Sequence, residues 1–335
     1  MKTFHFLLFI GILHITEAQT LVVLGTLQDG GSPHMGCVKD CCVMERPNDY
    51  VVSLGVIDKS KHLLFDASPD IVEQTNYLQY ISPAKDLAIF LTHAHMGHYA
   101  GLIHLGRESA NTNQTPVYAM PRMAQFLRSN GPWSQLVDLE NISIQPIQNK
   151  TPVFVSPRLT VTPLVVPHRD EFSETVGFLV EGQSKRALYI PDIDKWGLWD
   201  IDINTLVTQV DYAFIDATFF EDGEIPRPMS EVPHPFVEES ITRFKSLAIE
   251  EKNKIYFIHL NHTNPARDPL YEGRIAIEKK GYQFATFGMR FSLERFRRGF
   301  WVFCLGFDLG FPSPQDQLDH KHRHVLYVEC DVVCR

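Results

Sequence analysis

A continuous apolar run at 87–91 (LAIFL) ends directly in Thr92-His93-Ala94-His95-Met96-Gly97-His98, and no other stretch constrains the chain as tightly. Five apolar residues in a row read as a strand buried on both faces, the pattern of parallel strands covered by helices. Extended backbone points His93 and His95 to the same side. His98 comes round as the chain turns into a helix whose start reads at 100–105. Three imidazoles at the end of a buried strand can converge on one cation. Zinc takes N and O ligands at roughly 2.0–2.2 Å, and catalytic sites keep one position open. The bland alternative is a chance His cluster on a loop; the strand context favours a metal.

The rest of the chain alternates strands and helices. Strands read at 20–27, at 50–57 and 62–66 (a hairpin around the polar turn 58–61), and at 159–166, 175–181, 186–190, 212–215 and 255–259. Helices read at 71–80, at 121–130 with Pro121 in the first turn and Gly131-Pro132 as a stop, and at 237–250. No repeat, low-complexity tract or linker interrupts them, so one domain over residues 19–293 is the economical reading.

The run LTHAHMGH at 91–98 resembles the HxHxDH motif of the metallo-β-lactamase superfamily. Phe65-Asp66-Ala67, Val166-Pro167-His168, Tyr189-Ile190-Pro191-Asp192 and Phe257-Ile258-His259 match further positions of that pattern. The resemblance implies an α/β (α+β) fold, a four-layer αββα sandwich. It also implies a first metal site of His93, His95 and His168, a second using His98, Asp192 and His259, and a supporting role for Asp66. Within the superfamily the chain is similar to the coenzyme PQQ synthesis protein B group, through residues 23–26 (VLGT), 28–31 (QDGG), Cys37, 216–219 (DATF), 259–265 (HLNHTNP), and Gly281-Tyr282 through Gly288-Met289. Two departures matter. Gly97 stands where the second-site Asp belongs, and the chain keeps a His cluster that the PQQ group has in part lost, so that group's oxidative role carries over poorly.

Rivals exist for several positions. His262 competes with His259, which ends the apolar strand; Asp194 competes with Asp192. Arg169, Asp170 and Glu171 follow His168 and are read either as groups that orient it or contact substrate, or as a solvated turn. His234, between two prolines, could reach the cleft or be an ordinary loop His. Trp196 and Trp199 could wall the pocket or simply pack.

Composition sets outer limits. The 335 residues carry a net charge of −9 and no long Lys/Arg run, so a nucleic-acid partner has little electrostatic support. Arg295, Arg297 and Arg298 are a short group that reads as a solvated face. Residues 1–18 have a lysine near the start, an apolar core too short to span a bilayer and a small residue before Gln19. They read as a signal peptide, hence export to a periplasm or medium, rather than as a buried N-terminal element. No integral membrane segment is expected once it is removed. Six Cys follow: Cys37, Cys41, Cys42, Cys304, Cys330 and Cys334. An oxidising compartment permits disulfides; the close spacing of Cys37, Cys41 and Cys42 equally suits a structural zinc whose fourth ligand the sequence does not identify. Residues 294–335, His-rich and holding half the Cys, have no assigned core role.

The expected activity is metal-assisted hydrolysis of an ester, lactone, amide or phosphodiester in a small-molecule substrate, with one or two zinc ions, iron or manganese being alternatives. Asp192 and His98 are the expected catalytic residues, Asp192 bridging metals or orienting water. The rival readings are an iron-dependent oxygenase or other redox enzyme and a non-catalytic metal-stabilised binding protein.

Overall fold

The computed structural model describes residues 19–43, 47–59 and 61–294. The chain divides into two units, Met1–Arg295 and Phe296–Arg335, and everything below concerns the first. The expected leader at 1–18, the tail beyond Glu294 with Cys304, Cys330 and Cys334, and the three arginines at 295–298 lie outside the described residues.

Two seven-stranded sheets carry the fold. The first is built from β1 (Thr20–Gly25), β2 (Ser53–Asp58), β3 (Lys61–Phe65), β4 (Asp86–Phe90), β5 (Thr115–Ala119) and β6 (Ile142–Pro146) in sequence order. The second holds β7 (Val153–Ser156), β8 (Leu159–Val165), β9 (Val176–Glu181), β10 (Arg186–Ile190), β11 (Tyr212–Asp216), β12 (Ile255–Ile258) and β13 (Gln283–Phe284), again in order. The chain then crosses back, and β14 (Arg290–Ser292) closes the edge of the first sheet beside β1.

Side-chain alternation explains why there are four layers. In β1, Leu21 and Val23 face the cluster between the sheets, whereas Val22 and Leu24 face the helices outside. In β10, Ala187 and Tyr189 point inward and Leu188 and Ile190 outward. A strand apolar on both faces has to be covered twice. Helices Ile71–Ile81, Pro121–Ser129 and Trp133–Asp138 cover the first sheet through Ile71, Leu78, Met123, Leu127 and Leu136. Helices Ile203–Thr208, Val237–Phe244 and Glu272–Glu278 cover the second through Ile203, Val207, Val237, Phe244 and Ile277. This is the αββα sandwich.

The helix expected over 237–250 is two pieces, Val237–Phe244 and Ile249–Lys252. Leu247 folds back against the core, its amide bonding to the Phe244 carbonyl. The helix start expected at 100–105 is a 3₁₀ helix, preceded by a four-residue α-helix, Met96–Tyr99, that already contains His98.

Each sheet contains a parallel block: β3 to β6 in the first, β10 to β13 in the second. Parallel strands end at the same edge. Asp66 follows β3, His93 follows β4, Asp192 follows β10, Asp216 ends β11 and His259 follows β12. The topology therefore gathers these residues along one rim.

Candidate metal centre

One carboxylate oxygen organises the rim. Asp192 Oδ2 stands 3.3 Å from Nε2 of both His93 and His168. It lies 3.9 Å from His95 Nδ1, 3.9 Å from His259 Nε2 and 4.0 Å from His98 Nε2. Five imidazoles from three separate stretches thus face a single buried oxygen.

The other nitrogen of each ring is held from behind. His93 Nδ1 meets Thr92 Oγ1 at 3.0 Å, and His98 Nδ1 meets Asp66 Oδ2 at 2.8 Å. His168 Nδ1 meets Asp194 Oδ1 at 3.0 Å, and His259 Nδ1 meets Thr218 Oγ1 at 2.8 Å. His95 is turned the other way: its Nε2 contacts Glu171 at 3.2 Å and its Nδ1 points inward. Anchoring one ring nitrogen fixes the tautomer and aims the other, which is how metal-ligating histidines are held.

Two Asp–Thr pairs build this support. Asp66 accepts both the amide and hydroxyl of Thr92 at 2.8 Å. Asp216 accepts the amide of Thr218 at 2.8 Å and its hydroxyl at 2.7 Å, and also contacts His234 Nδ1 at 2.8 Å. His234 Nδ1 further lies 3.2 Å from Asp192 Oδ1, so the loop His does reach the centre. Asp66 and His259 each sit in the left-handed backbone region, with φ of 69° and 68°. Non-glycine residues held there are uncommon and cluster at functional sites.

The donors fit a cation. His98 Nε2, His168 Nε2, His259 Nε2, Asp192 Oδ1 and Asp29 Oδ1 are buried side-chain atoms without a hydrogen-bond partner. Orphaned buried polar atoms cost on the order of 1–3 kcal/mol each, and a cluster of them converging on one space needs a shared partner. His93, His95, His168 and Asp192 form one set whose ligand atoms lie within 4.8 Å of one another; Asp29, His98 and His259 form another.

Without a metal, protons balance the carboxylates. Burial opposes charge on His168, but Asp192 and Asp194 outweigh it and push the imidazole up to about 10. Burial likewise opposes charge on His259, yet Asp192, Asp216 and Asp29 raise it to about 9. Asp192 is driven upward by burial but held well below the carboxylate range by His234, His168 and His259. Raised histidines add stability that is complete below their unfolded value near ~6.5 and is lost as pH climbs through the folded values. The chelated, metal-free protein is therefore expected to melt at progressively lower temperature from pH 7 to pH 10, and the metal-loaded protein to show no such fall. Scanning calorimetry at both pH values decides it: equal melting temperatures in chelator would contradict the proton-filled cage.

Several expectations change in detail. Asp194, a rival of Asp192, instead orients His168, the role expected of residues 169–171. Glu171 contacts His95, and Arg169, half exposed, lies 3.8 Å from Glu171 and does not reach His168. His262 is not near Asp192; it joins Cys37, Cys41 and Cys42 in a set of donors within 4.8 Å. All three cysteines are free thiols, and a hydrogen bond from the Cys42 thiol pulls Cys37 down. The fourth donor missing from the sequence reading is thus His262. Trp196 packs in the core, its Nε1 on Ser240, and Trp199 bonds the Val165 carbonyl. Sequence reading missed Asp29 and assigned no role to Asp216, although Asp216 ends an apolar strand as Asp66 and Asp192 follow theirs.

Comparison with known proteins agrees with this fold. The sequence model described as "Beta-lactamase superfamily domain" matches residues 61–260. Coenzyme PQQ synthesis protein B of Methylobacterium sp. (strain 4-46) is 27% identical over 307 residues, spanning 81% of this chain and 99% of that protein. The crystal structure of Zn(2+)-bound PqqB from Methylobacterium extorquens superposes with a TM-score of 0.67 at 23% identity, over 82% of this chain and 99% of that one. A diphosphatase of the PhnP family superposes with a TM-score of 0.57 at 22% identity, over 82% and 96%.

Proposed function

The chain belongs to the β-lactamase superfamily, and from that premise we propose that it is a metal-dependent hydrolase acting on a small anionic ester, a phosphodiester foremost. The observation that carries the proposal is the convergence of five back-anchored imidazoles on Asp192 Oδ2. A purely structural cluster would satisfy its polar atoms internally; this one leaves them aimed at a common space.

His93, His95, His168 and Asp192 would hold a cation, and His98 and His259 face the same oxygen from the other side. A divalent cation supplies Lewis acidity there, polarising a carbonyl or phosphoryl oxygen and lowering the pKa of water towards ~7. The chain's own groups do the rest. Asp192, buried and ionised, presents an acceptor oxygen that orients an attacking water. His234, with Nδ1 held between Asp216 and Asp192, keeps Nε2 as the atom that delivers a proton to the departing oxygen. It is 9% exposed, which leaves an edge of the ring open to a substrate. Arg169, half exposed beside Glu171, can meet a negative group at the rim. The Cys37, Cys41, Cys42 and His262 set is read as a structural zinc site, since four such donors close a tetrahedral shell and leave no open position.

The experiment is elemental analysis followed by a screen of phosphodiesters, carboxylic esters and lactones on the metal-loaded protein. Metal-dependent turnover that a chelator removes is expected, together with one thiolate-bound equivalent that Cys42→Ser eliminates. A loaded protein inert to all three classes would defeat the hydrolase reading. The similarity to PQQ synthesis protein B supports a second reading, an oxidative step on a cofactor precursor with iron at the same donors. Consumption of dioxygen during turnover separates the two.

A further inference from the structure

We infer that Asp29 takes the place of the carboxylate that position 97 lacks and completes a second cation site with His98 and His259, sharing Asp192. The inference rests on the metal-dependent reading above and adds to it a residue and a cation count.

Asp29 lies in the turn after β1, far from the His run in sequence. Its Oδ1 stands 3.0 Å from His98 Nε2 and 3.9 Å from His259 Nε2. At 3.0 Å a hydrogen bond would be within reach, yet none of these three atoms makes one. The atoms point past each other to a shared space. Both histidines are fully buried, so neither nitrogen can turn to water. Buried charges and imidazoles arranged this way are paired or coordinate metals.

Gly97 is the other half of the argument. A Cβ built on Gly97 would fall 2.3 Å from Asp29 Oδ1 and 2.5 Å from Asp29 Cα. No side chain fits there while Asp29 is in place. The space that an aspartate at 97 would enter from the short helix Met96–Tyr99 is filled by Asp29 arriving from the opposite side. The absence of a side chain at 97 is therefore what admits the new carboxylate.

The backbone holds Asp29 beside its partner ligand. The Gln28 amide donates to the Leu260 carbonyl at 2.9 Å, and the Leu260 amide donates to the Thr26 carbonyl at 2.7 Å. Residues 26–28 are thus stitched to the residue that follows His259. The turn after β1 and the end of β12 are hydrogen-bonded to each other, which sets the Asp29 to His259 spacing without any contribution from the His run.

The test counts metal rather than activity. Wild type, Asp29→Asn, and the exchange variant Asp29→Gly with Gly97→Asp are loaded with zinc, and bound metal is measured by elemental analysis and by competition with a chromogenic chelator. Asp29→Asn is expected to lose one equivalent, or to bind it at least ~10-fold more weakly, while the equivalents at His93, His95 and His168 and at the thiols stay. The exchange variant is expected to regain the lost equivalent, which a merely misfolded Asp29 variant would not. Retention of the full count and affinity in Asp29→Asn overturns the inference and leaves the metal centre standing. A wild type with one cation at the centre overturns it as well. A wild type with none at the centre overturns the hydrolase proposal itself.

Discussion

Asp192→Asn is expected to empty the centre and to abolish turnover. The substitution keeps the shape of the side chain and removes its charge, so its effect is on electrostatics rather than packing. Asp192 Oδ2 is the only carboxylate oxygen within 4.0 Å of all five converging imidazole nitrogens among the described residues. Removing an outer-shell partner already weakens metal binding by roughly 10–100-fold; loss of the central shared carboxylate should exceed the upper end of that range. Retaining the full metal content in the Asn variant would refute the assignment of Asp192. A second effect is expected in the metal-free protein. His168 and His259 carry raised pKa values largely through Asp192, so both should titrate nearer their ordinary range in the variant, a change visible in the imidazole proton resonances.

Asp66→Ala is expected to be the most destabilising substitution at the site. Asp66 is fully buried and accepts from the Thr92 amide, the Thr92 hydroxyl and His98 Nδ1. Its removal strands the Thr92 amide and leaves the Thr92 hydroxyl and His98 Nδ1, 3.2 Å apart, without their carboxylate in a dry environment, where breaking a buried charged pair costs roughly 3–5 kcal/mol. Alanine is also a poor occupant of the left-handed backbone found at this position, adding about 1–2 kcal/mol. Together these should lower the melting temperature by roughly 8–28 °C. Asp66→Asn tolerates that backbone and keeps one acceptor oxygen, so it should recover part of the loss. An Ala variant that melts within a degree of wild type would show that Asp66 does not support the His run.

Asp66 also shows what a one-dimensional reading can and cannot find. Its position after an apolar strand and ahead of the His run is a local pattern, and the resemblance gave it a supporting role. Which atoms it supports is not local: Thr92 follows a different strand and His98 lies in the helix after it, brought alongside by parallel pairing of β3 with β4. Asp194 and Asp192 make the same point. Both lie just beyond a buried strand, two residues apart, and only the direction of the backbone after Ile190 decides that one faces the converging imidazoles and the other the back of His168. Leu247 illustrates a different limit. Residues 237–250 have helical periodicity throughout, but burying Leu247 against the second sheet outweighs continuing the helix.

The sequence alone determined that a buried strand delivers a histidine cluster to a sheet edge, and its resemblance to the superfamily implied a layered α/β fold in which His168, Asp192 and His259 join that cluster. The first follows from period and residue type and the second from matching motifs, both carried within short windows of chain. Only the tertiary structure decided that His262 serves the thiols, that Asp194 rather than residues 169–171 orients His168, and that Asp29 fills the space left open by Gly97. Each of those is a contact between stretches with no shared local pattern. Their distances are set by how two sheets and their connecting turns pack, and a side chain's partners are fixed by that packing and not by its neighbours in sequence.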